Sequence, residues 1–107
     1  MNIETALKEA MTIDGTLGGG KYLDLDLAAA GNTEVVRAKM RTMKSLNLND
    51  TIEDILITLG KQYHLIRLLS NADGTNNLFL YLALDRSNSN LALARHHLKR
   101  IESELAV

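Results

Sequence analysis

The sequence predicts a mixed α/β (α+β) domain in which two helices precede a three-stranded antiparallel meander and one helix follows it. Three observations carry that prediction. Apolar residues recur at three- and four-residue spacing near both ends of the chain, as amphipathic helices require. Three strand-like runs in the middle, 52–59, 62–69 and 78–84, are separated by short polar links. The links are too short for parallel crossovers, so neighbouring strands run antiparallel.

Taken in order, Ile3, Ala6, Leu7, Ala10 and Met11 form one apolar stripe, with Asn2 as N-cap and Glu4 and Lys8 as an i,i+4 pair on the opposite face. The helix is expected to end near Asp14-Gly15, before a glycine-rich link over 15–20 too flexible to pack as an element. A second helix spans 25–46, with Asp24 as N-cap, Asp26 in its first turn and Lys44 near its end, both charges suited to the helix dipole. Asn47-Leu48-Asn49-Asp50 form a turn into the first strand run. Gly60-Lys61 is a hairpin-length link, and 70–77, containing Asp73-Gly74, a polar loop. The last strand is apolar on both faces and expects cover on both. Asn90 caps a final helix striped by Leu91, Ala94, Leu98, Ile101 and Leu105.

The 107 residues carry 12 basic and 13 acidic side chains, a formal charge of -1, and no cysteine, proline or tryptophan. One domain is the expectation. The absence of cysteine excludes disulfides, thiolate-ligated metals and thiol catalysis. The balanced charge supplies no global field for nucleic acid or anionic lipid. No apolar run approaches the ~20 residues of a membrane span, and the amino terminus lacks the apolar core of a signal peptide, so a soluble cytoplasmic protein is expected.

The second helix has two apolar faces. Leu25, Ala29, Val36, Met40 and Met43 fall on one, suited to a core. Leu27, Gly31, Val35, Ala38 and Thr42 form a second stripe whose small side chains would let another helix approach closely. Such an approach would account for Gly31, which costs about 1 kcal/mol relative to alanine inside a helix. The occupant is either another helix of the same chain or a second copy.

The runs LDLDLAAAGNTEVVRAKMRTM, IEDILITLGKQYHLIRLL and LFLYLALDRSNSNLALARHHL resemble the bacterial branch of the Roadblock family, related to roadblock-type dynein light chains. The resemblance is weak over 1–15 and good over 23–105. It implies a three-layer α/β/α domain and a homodimer, built by pairing of the helix over 25–46 and of the edge strand over 52–59, with Ile52 and Leu56 joining the helical stripe in the contact. It also implies a non-enzymatic scaffold or regulator without cofactor, commonly working beside a small Ras-like GTPase. One departure matters. The family places a β-hairpin between the first two helices, where this chain has only 15–21. The strand over 78–84 then becomes an exposed apolar edge, expected to be covered by a second chain, a swapped element or a helix.

Other signals are weaker. Residues 15–21 satisfy GxxxxGK, and Asp85 ends an apolar strand as in nucleotide hydrolases, which gives the alternative reading of a nucleotide-binding protein. However, Tyr22 stands where a P-loop needs Ser or Thr, and a helix precedes the loop. His64 shares a strand face with Ile66 and Leu68, as a partnered core histidine would. His96 and His97 point about 100° apart on the last helix, so metal binding is not expected. Glu53, Asp54, Glu102 and Glu104 read as solvated charges. Arg37, Arg41 and Lys44 form a basic stripe, and Arg95, Lys99 and Arg100 a second cluster. Asp26 and Glu34 beside the first favour a solvated or acidic-partner docking face over nucleic acid.

Overall fold

The computed structural model describes residues 1–17, 25–69 and 78–105. Its elements are α1 (Ile3–Ala10), α2 (Leu25–Ser45), β1 (Asp54–Thr58), β2 (Gln62–Leu69), β3 (Leu78–Asp85), a 3-10 turn (Arg86–Asn88) and α3 (Leu91–Glu104). The strands form an antiparallel sheet in the order β1-β2-β3. The α+β class and the order of helices and strands are therefore those the sequence predicts. Asp24 and the loop over 70–77 lie outside the described residues. Chain contacts divide the molecule into two compact units, Met1–Leu17 with Glu53–Val107, and Gly18–Ile52.

In the first unit, Leu65 and Leu69 of β2 and Leu80, Leu82 and Leu84 of β3 point to one face of the sheet. They bury against Ala6, Ala10 and Ile13 from the first helix and its exit, and against Ala94, Leu98 and Ile101 of α3. On the opposite face Ile66, Leu68 and Ala83 are also buried. Asn2 and Asn90 cap α1 and α3 by accepting from the Thr5 and Leu93 amides at 2.8 and 3.0 Å, which satisfies a backbone donor that each helix start leaves orphaned. The Met1 amino group donates to the Glu104 carbonyl, tying the start of the chain to the end of α3.

Four sequence expectations change here. The stripe on α1 splits: Ala6 and Ala10 are buried, whereas Ile3, Leu7 and Met11 are 50%, 52% and 58% exposed. Alanines let the helix sit close to the leucines of β3, and the larger side chains then fall to its flank. The helix also stops at Ala10, short of Asp14-Gly15. The link after it is not loose at its start, because Gly15 holds φ 86° and Thr16 bridges to Leu84. The Leu17 amide donates to the Ala83 carbonyl at 2.9 Å and the Asp85 amide to the Gly15 carbonyl at 2.8 Å. Finally, β1 begins at Asp54 and ends at Thr58, so Ile52, Glu53 and Leu59 flank the strand.

In the second unit, α2 ends in a Schellman motif. The Leu48 amide donates to the Met43 carbonyl at 2.9 Å and the Asn47 amide to the Lys44 carbonyl at 3.1 Å, with Asn47 left-handed at φ 56°. Asparagine tolerates that conformation better than other non-glycine residues, which explains its place where glycine is usual.

Candidate interaction surface

The second stripe of α2 is open. Leu27 is 71% and Val35 38% exposed, Gly31, Ala38 and Thr42 are exposed, and a Cβ built on Gly31 meets nothing within 4 Å. Thr42 turns its hydroxyl back to donate to the Ala38 carbonyl at 3.0 Å. On the stripe expected to face a core, Val36 is buried and Met43 half-buried, but Ala29 and Met40 are exposed. Arg37, Arg41 and Lys44 are exposed along α2, with Asp26 and Glu34 exposed beside them.

In the first unit, Leu56 is half-buried and packs against the core cluster beneath α1 and α3, because alternation along β1 sends it to that face. Ile52, the last residue of the second unit, is half-buried. The outer edge of β1 pairs with no strand among the described residues.

Several charges read as solvated are paired. Glu102 accepts from Arg67 Nη2 at 2.7 Å and Nε at 3.2 Å, and Arg67 is itself buried. Asp54 accepts from Arg95 through both guanidinium donors, each at 3.1 Å. Arg100 reaches Glu9 at 3.1 Å and Glu104 at 3.3 Å. The cluster on α3 is thereby largely neutralised within the fold. The one sequence signal for the first pair is Arg67 itself, a cation inside the apolar run LIRLL.

His64 is the partnered histidine expected. Its Nε2 lies 2.7 Å from Gln62 Oε1 and its Nδ1 3.1 Å from the Tyr81 hydroxyl. The neutral imidazole satisfies both contacts, with Nε2–H donating to Gln62 and Nδ1 accepting from Tyr81. Burial pushes the Tyr81 phenol up and the His64 imidazole below its ordinary value, so both stay neutral at pH 7 and the hydrogen bonds persist. A histidine whose folded pKa is depressed takes its proton first in the unfolded chain. Its stabilisation is complete above pH 6.5 and declines as pH falls from there toward the folded value. Urea midpoints should therefore drop on acidification below pH 6.5. His64→Gln should show a shallower fall over the same window, and a parallel fall would remove His64 as the cause.

The acidic residue of the nucleotide-site reading is Asp85, at the end of β3. Asp85 Oδ1 accepts from the Ser87 amide at 3.1 Å and hydroxyl at 2.9 Å, and Oδ2 from Asn88 Nδ2 at 2.9 Å, which holds the carboxyl below its usual range. It caps the 3-10 turn. Residues 18–21 of the GxxxxGK match lie outside the described residues. A cleft of about 450 Å³ lies between the end of α1 and the start of α3, with Asp14, Asn88, His97 and Arg100 in its wall. Its acidic and basic groups are mixed, and Arg100 is already paired there with Glu9. Among the described residues no cluster of His, Asp and Glu suits a metal ion, and no helix is long and apolar enough to cross a membrane. In comparisons with known proteins, no family model, no curated protein and no solved structure matches this chain.

Proposed function

We propose that the chain is a non-enzymatic regulatory or scaffold subunit that dimerises through α2 and presents the paired surface to a partner, a small Ras-like GTPase. The observation that carries the reading is the solvent exposure of the stripe formed by Leu27, Gly31, Val35, Ala38 and Thr42. Small residues at three- and four-residue spacing let two helix backbones approach closely, and a two-fold contact needs one self-complementary face. The exposed Arg37, Arg41 and Lys44 would flank the paired helices as a docking surface for acidic side chains. The GTPase rests on the sequence resemblance alone.

Gly31→Leu tests the pairing without damaging the protomer. Because the site opens to space, leucine removes the helix cost of glycine and should stabilise α2 by roughly 0.5–1 kcal/mol. It should also obstruct the partner helix. Light scattering after size exclusion, across a dilution series, should show a dimer for the wild type that dissociates at higher concentration in Gly31→Leu. A variant as tightly associated as the wild type would place the pairing face elsewhere. Co-elution with GTP- or GDP-loaded small GTPases then tests the partner.

A further inference from the structure

We draw no further inference here: the strongest candidate, the cleft between the end of α1 and the start of α3, sets Glu9 and Asp14 against His97 and Arg100, and nothing in the structure shows which ligand chemistry would fill it.

Discussion

Glu102→Ala should destabilise the protein by about 3 kcal/mol, the order observed when one member of a buried ion pair is removed. The loss comes from what the substitution strands. Arg67 is 8% exposed and sits on the sheet face that packs against α1 and α3, with its Nε and Nη2 both directed at Glu102. Without the carboxylate, the guanidinium stays in an apolar layer with its charge uncompensated, or the strand must deform to let it out. Arg67→Met with Glu102→Leu should recover most of the loss, because apolar side chains of similar volume carry no desolvation cost there. The contrast lies with Glu4–Lys8, where both side chains are more than 70% exposed and Glu4→Ala should change stability by less than about 0.5 kcal/mol. Urea unfolding of Glu102→Ala, Glu4→Ala and the double variant measures the contrast. A loss for Glu102→Ala as small as that for Glu4→Ala would mean that water reaches Arg67 and the pair is effectively a surface one.

This pair also marks where sequence reasoning reaches its limit. Contacts within one turn of helix or one hairpin are legible because their geometry follows from spacing. Thus Asn2 and Asn90 cap as expected, Glu4 meets Lys8, and β2 spans Gln62–Leu69. His64 was legible as a partnered side chain because strand alternation put it beside Ile66 and Leu68. The partner of Glu102 was not, since it sits 35 positions away and the helix phase of one element must be known relative to the strand phase of another. Residue size was the other hidden variable. Periodicity places Ala6 and Leu7 on one stripe, but only the burial of a small side chain brings α1 close to the leucines of β3, and Leu7 is then displaced to the flank. For the interaction surface, the stripe on α2 was readable from spacing and its exposure was not. Leu56, expected at a dimer contact, packs against the protomer's own core.

Gly15→Ala should cost about 3 kcal/mol, from two effects that act together. The first is conformational: at φ 86° an L side chain pays roughly 1–2 kcal/mol for the left-handed region. The second is steric. A Cβ on Gly15 would lie 2.7 Å from the Ser89 Cβ and 3.0 Å from the Asn88 carbonyl oxygen, distances at which the backbone before α3 must move. That segment has little freedom, since Asp85 bonds Ser87 and Asn88 on one side of it and Asn90 caps α3 on the other. The Gly15 carbonyl also accepts from the Asp85 amide, so a displaced Gly15 weakens the pairing of Thr16 with Leu84 at the end of β3. Glycine is needed here to join a helix exit, a strand edge and a helix entrance within one contact, although the surrounding sequence reads as a slack linker. Substitution at Gly60, which has open space around its Cβ position and a negative φ, supplies the control. Gly60→Ala should leave the urea midpoint within experimental error, whereas Gly15→Ala should lower it sharply and accelerate amide exchange at Leu17 and Asp85. Equal effects at the two glycines would show that the contact with Asn88 and Ser89 yields freely and that Gly15 is only a link.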